Sequence, residues 1–171
     1  MYIAVFLLNI LLLLLLVWIC MFLVIFGHEM GHVLMYRIFF RNKDWHITIG
    51  TGRTFIKLKR FTLRVFPIVG FYHVESEYKG SKLQYIMMYL GGPLANVFFI
   101  IVLSFLSQII KANELKFEQP NLVWFLGFTF RANVFQFVGT VVPMKYLFWP
   151  YKGLLSDGMR ILKKATETNK S

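Results

Sequence analysis

Between Tyr2 and Phe26 the chain carries 25 consecutive residues without a charge, and no other feature limits its fold as strongly. At about 1.5 Å rise per residue the run crosses a hydrocarbon core of about 30 Å with some tilt. It predicts a first membrane helix over about residues 2–36. No Lys or Arg precedes Arg37, the run is long, and no small-residue cleavage site follows, so it reads as a membrane helix and not as a cleaved signal peptide. Two more such runs follow. Leu83–Ile110 is free of charge and holds Gly91, Gly92 and Pro93, while Asn121–Pro143 has Arg131 as its one ionisable residue. They predict helices over about 83–110 and 121–143, since Gly and Pro are tolerated where neighbouring groups satisfy the freed backbone. Only 16% of the 171 residues are charged and 57% are hydrophobic, against roughly 25% charged in a soluble domain. That balance excludes both a soluble globular domain and a disordered chain.

The distribution of charge orients these helices. Ten Lys/Arg and three acids (Asp44, Glu75, Glu77) lie between the first and second runs; the short 111–120 loop balances Lys111 and Lys116 against Glu114 and Glu118; the segment after Pro143 is again basic. The positive-inside rule therefore puts residues 37–82 and the C-terminus in the cytoplasm and the N-terminus outside. The formal charge of +11 becomes a topology signal with affinity for the lipid bilayer, and no nucleic acid is needed to explain it.

About residues 46–75 differ from their surroundings. His46-Ile-Thr-Ile-Gly-Thr-Gly, an alternating β-branched stretch from Arg53 to Val65, and Phe66-Pro67-Ile-Val-Gly70 read as short strands separated by glycine. Open strands cannot face lipid, so this element belongs at the surface or in a protein-lined cavity. The fold expected is an α-helical membrane protein, with three transmembrane core helices and a small membrane-associated β element between the first and second. One domain covers 1–165, ending in an Asp-Gly segment at 153–164, and a short polar tail occupies 166–171. The single cysteine, Cys20, sits in an apolar run, which rules out an internal disulfide framework and a cysteine zinc cluster. Any metal has to be held by histidine and carboxylate.

The chemistry concentrates at the cytoplasmic end of the first helix, in His28-Glu29-Met30-Gly31-His32. Histidines at i and i+4 share one helical face, about 5 to 6 Å apart, where both imidazoles reach one zinc. Glu29, one residue on, can address water beside that zinc as a general base. The competing reading, solvated residues at a helix end, weakens in a membrane helix, where ionisable groups are costly and usually functional. Two histidines leave a catalytic zinc one protein ligand short. Asp157, after the third helix and before the apolar-periodic Met159–Leu162, is one candidate, but it reads equally well as a helix N-cap beside Ser156. Position alone leaves both readings open.

Three separated motifs in order resemble the site-2 proteases, the family of zinc-dependent intramembrane metalloproteases: His28-Glu29-Met30-Gly31-His32; Gly91-Gly92-Pro93-Leu94-Ala95-Asn96; and Asn133, Pro143 and Ser156-Asp157-Gly158. Gly50-Thr51-Gly52 and Pro67–Gly70 resemble the strand and loop of the family's β element. The resemblance covers about residues 15–165. It implies one Zn2+ per chain held by His28, His32 and Asp157, with Glu29 as catalytic base. It also implies substrate-binding roles for Gly50, Gly52, Asn96 and Asn133, the glycines through a strand edge that pairs with an unwound substrate. The chain departs from the family pattern in having Thr140 where a second Asn is usual, and in the aromatic insertion Lys145–Leu155 between Pro143 and Asp157.

The activity so implied is zinc-dependent hydrolysis of peptide bonds in or near the transmembrane segments of a membrane-protein or peptide substrate. A regulatory membrane partner is a further expectation, and the short architecture suggests a bacterial plasma membrane. The alternatives are a catalytically silent scaffold of the same fold, against which the intact Glu29 speaks, and a small transporter, disfavoured because no second polar helix supplies a path. His46 and His73 lack ligand spacing and are read as ordinary hydrogen-bonding groups. Arg131 is read as lining the interior or snorkelling.

Overall fold

A computed structural model of the chain describes residues 2–74, 80–112 and 120–167. Helix α1 is Tyr2–Phe40, strands β1 and β2 are Trp45–Lys57 and Phe61–Val74, and helices α2, α3 and α4 are Lys82–Ala112, Pro120–Val141 and Asp157–Thr166. Three of the helices are long and apolar enough to cross a membrane: Tyr2–Phe40, Lys82–Ala112 and Asn121–Val141. Glu75 and Glu77, most of the 111–120 loop with Glu114, Lys116 and Glu118, and the end of the tail lie outside the described residues.

Two element bounds differ from the sequence reading, each for a local reason. α1 runs past residue 36 because Tyr36 and Phe40 stack on each other, centroids 5.2 Å apart, and Phe40 also meets Tyr85 of α2. It ends where Arg41 takes a positive φ of 56 and the Asn42 side chain accepts from the main-chain N–H of Lys43 and Asp44. α2 continues through Pro93, giving up one helical donor there. α3 stops at Val141 instead of Pro143, two residues before the proline that lacks a backbone donor.

β1 and β2 form a two-stranded antiparallel sheet in which both strands bend and the register shifts. Residues 45–49 pair on one side with 70–74 and, from Ile47 on, with 61–63 on the other. The bend in β1 falls at Gly50 and Gly52, whose φ values of +90 and +81 suit glycine. Ile47 and Ile49 from the sheet pack with Ile25, Val33 and Tyr36 of α1 and Met88 of α2 in one buried cluster.

α1 and α2 touch backbone to backbone. A Cβ on Gly31 would strike the Gly91 carbonyl and Ala95 Cβ, and one on Gly91 would strike Gly31. Small residues four apart on both helices, Gly27/Gly31 and Gly91/Ala95, allow that approach, as is common between membrane helices. α4 lies across the start of α2, where Arg160 sits over the Tyr89 ring at 5.7 Å and Lys164 over Tyr85 at 4.7 Å, and Lys82 Nζ donates to the Ala165 carbonyl. These contacts bring the N-terminus of α4 to the middle of the helical core.

Candidate metal centre

Asp157 reaches the two histidines because of how the aromatic insertion folds. Residues 144–155 leave the end of α3 and return to it: Tyr146 N–H donates to Leu154 O, Gly153 N–H to Tyr146 O and Ser156 N–H to Met144 O. Ser156 closes the neck. Its Oγ accepts from Met144 N and Met159 N and donates to Val142 O. Ser156 is therefore the N-cap of α4, and Asp157, released from that task, turns its carboxylate to the histidines. The loop leaves Asp157 at the histidines because its two ends meet.

His28 Nε2, His32 Nε2 and Asp157 Oδ2 form a nearly equilateral triangle with sides of 3.2, 3.2 and 3.3 Å, and all three residues are buried. Ligands about 2.0–2.1 Å from a tetrahedral zinc lie about 3.3 Å from one another, so the donor set fits one face of such an ion. Among the described residues this is the group that could hold a metal. Burial raises the Asp157 pKa, but the facing imidazoles of His32 and His28, when protonated, outweigh it and hold the carboxyl well below its ordinary range.

Hydrogen bonds fix which ring nitrogen faces the centre. The relay starts at a main-chain carbonyl, which can only accept: Asn133 Nδ2 donates to Thr129 O at 2.9 Å, and Asn96 Nδ2 donates to Asn133 Oδ1 at 3.0 Å. Asn96 Oδ1 is thereby left to accept from His28 Nδ1 at 2.6 Å, so the His28 proton sits on Nδ1 and the Nε2 lone pair points to the centre. His32 Nδ1 lies 2.9 Å from Met88 O and 3.3 Å from Gly92 N. The shorter contact, with Nδ1–H donating, again frees Nε2. Met88, Gly92 and Asn96 form one stripe of α2, four residues apart, facing the His28/His32 stripe of α1. The structure thus puts Asn96 and Asn133 behind the ligands, orienting them.

Asn96→Ala is expected to weaken zinc binding about 10- to 100-fold, the usual effect of removing an outer partner of a ligating histidine. Competition with a chromophoric chelator measures it. Unchanged affinity with a raised KM would return Asn96 to substrate binding.

Glu29 is buried beside this group and accepts from the Tyr72 main-chain N–H. Gly70 lies so close that a Cβ there would fall on Glu29 Oε1. Glu29 and the triad line a cavity of about 640 Å³ whose other walls include Met21, Val24, Ile68, Phe71, Phe128 and Phe135. Gly50 and Gly52 are not among its walls. Gly50 sits against the main chain of Arg64 and Phe66, and the Phe66 ring covers Gly52, so the strand beside the centre is Gly70–Val74.

Tyr72 and Tyr151 are site residues the sequence did not single out. The Tyr72 ring stacks on His32 with centroids 4.6 Å apart, and the Tyr151 hydroxyl accepts from Gly70 N–H at 3.2 Å. Burial raises both phenols far above their usual range, which keeps them neutral O–H groups. His46 pairs with Thr62 at 2.9 Å, away from the centre, and Arg131 is exposed on α3 at the cavity's edge.

Two helical histidines and an aspartate that could hold a metal, beside a buried glutamate and among three apolar helices, define a membrane protein with a hydrolase-type metal centre. The chain belongs to peptidase family M50, the site-2 protease family, whose model matches residues 16–169. No individual curated protein matches it. The family and the three apolar helices together make it an integral membrane protein of metalloprotease type.

Proposed function

We propose that the chain is a zinc-dependent intramembrane endopeptidase, cutting peptide bonds in or near the transmembrane segments of membrane-protein substrates. One observation carries the reading: three ligand atoms in a 3.2–3.3 Å triangle share an apolar cavity with a buried glutamate between helices able to span a membrane. His28, His32 and Asp157 would hold the zinc, which when bound polarises the scissile carbonyl and acidifies water. Glu29 takes a proton from the attacking water and delivers it to the leaving amide nitrogen. Apolar walls keep bulk water from the carboxylate, and an extended substrate laid along Gly70–Val74 brings its backbone to Glu29. A helix hides its carbonyls in internal hydrogen bonds, so local unwinding precedes cleavage. The basic residues that flank the helices support an opening on the cytoplasmic side, with the N-terminus outside.

Metal analysis of detergent-purified protein tests the reading. About one zinc per chain is expected in the wild type, falling below about a tenth in His32→Ala and Asp157→Ala, because an open zinc site rests on three protein ligands. No zinc in folded wild type, even after supplementation, would overturn it and favour a silent scaffold.

A further inference from the structure

The loop at 144–155 carries three successive large apolar side chains with no protein cover. Leu147, Phe148 and Trp149 are 72%, 81% and 71% exposed, although the neck of the loop is tied by the main-chain and Ser156 bonds described above. Single exposed hydrophobics are ordinary, but three in a row at the tip of a hydrogen-bonded loop are a patch.

Two observations say what covers it. Lys145 and Lys152 flank the tip, and no acid lies between Pro143 and Asp157, so the loop is positive throughout. The loop also follows α3 directly, where Val138 and Val141 are exposed on the last turn of the helix and Val142 just past it. That helix is long and apolar enough to span a membrane, and a loop at the end of a span falls where hydrocarbon gives way to headgroups.

We infer that residues 145–152 form an interfacial anchor, with Leu147, Phe148 and Trp149 seated in the headgroup–acyl boundary and Lys145 and Lys152 against anionic lipid phosphates. Tryptophan favours that depth, and lysines on long stems reach the phosphates beside it. Each lysine near an anionic surface favours docking by about fivefold. The anchor also bears on the centre. Tyr151, two residues past Trp149, accepts from Gly70 N–H and packs on Phe71 at 6.1 Å, so the docked tip holds Tyr151 against the strand beside Glu29. The inference rests on the chain's being a membrane protein and not on its catalytic activity.

Trp149 reports its own surroundings. Full-length wild type and Trp149→Phe are reconstituted in phosphatidylcholine–phosphatidylglycerol vesicles, and the difference in emission isolates Trp149 from the other tryptophans. Lipid brominated at carbons 6 and 7 is expected to quench the difference signal about twofold or more, and lipid brominated deeper to quench it less. Acrylamide on both sides of the membrane is expected to have little effect. Replacing phosphatidylglycerol by phosphatidylcholine, or making Lys145→Gln with Lys152→Gln, is expected to reduce the bromolipid quenching. Free quenching by acrylamide with none by bromolipid would overturn the anchor in favour of a solvated loop. Protection from both quenchers would overturn it in favour of a protein-covered face. Bromolipid quenching indifferent to phosphatidylglycerol and to both lysines would overturn the assignment to anionic lipid.

Discussion

Glu29→Gln is expected to keep its zinc and to lose cleavage by about 10²- to 10⁴-fold, the range a positioned general base contributes. The substitution is nearly isosteric, which matters because the space is full: Gly70 packs directly on the carboxylate, and the Tyr72 main-chain N–H donates to it. A glutamine oxygen still accepts that bond, so neither the sheet nor α1 has reason to move. What glutamine lacks is the capacity to take a proton. Glu29 is also not one of the three atoms of the His28–His32–Asp157 triangle, so zinc per chain should stay at the wild-type value. Paired metal analysis and cleavage of a reconstituted membrane substrate check both halves. Loss of zinc along with activity would show that Glu29 helps to hold the metal, and full activity would remove it from the proton path. With both expectations met, the variant becomes a trap that retains uncut substrate.

The helices and the two histidines were legible because each depends on residues close in sequence. A charge-free run has few alternatives to a membrane helix, and an i, i+4 pair has one geometry once the helix is granted. The third ligand was harder, since Asp157 sits 125 residues beyond His32 and reads locally as a cap. Only the folded loop shows that Ser156 does the capping. Asn96 and Asn133 entered through the resemblance, as substrate-binding residues, and the relay from Asn133 through Asn96 to His28 depends on how three helices stack. Gly50 and Gly52 were read as a strand edge, and their positive φ values belong to the bend in β1. Tyr151 had no sequence signal at all, because its place beside Gly70 follows from the closure of an aromatic loop that has no periodicity.

Gly92→Ala is expected to weaken zinc binding by about 10- to 100-fold while leaving α2 helical. Intrinsic propensity favours the change, since alanine is better than glycine inside a helix by about 1 kcal/mol. The added methyl has nowhere to go: it would lie 2.5 Å from His28 Nε2 and 2.6 Å from its Cε1, and would fall on His32 Nε2 as well. Neither ring can step aside freely, for His28 is held by Asn96 and His32 by the Met88 carbonyl, with Tyr72 stacked on His32. Relief therefore means moving a ligand atom out of the triangle or pushing α2 from α1, where Gly31 and Gly91 are already in contact. Overpacking of this kind costs roughly 1–3 kcal/mol, which in zinc affinity is about one to two powers of ten. Chelator competition gives the affinity and circular dichroism the helix content. Gly139→Ala is the control, because a Cβ there meets nothing within 4 Å. Wild-type affinity in Gly92→Ala would mean that the two imidazoles are free to shift as a pair, and the triangle would then be one arrangement of the ligands among several.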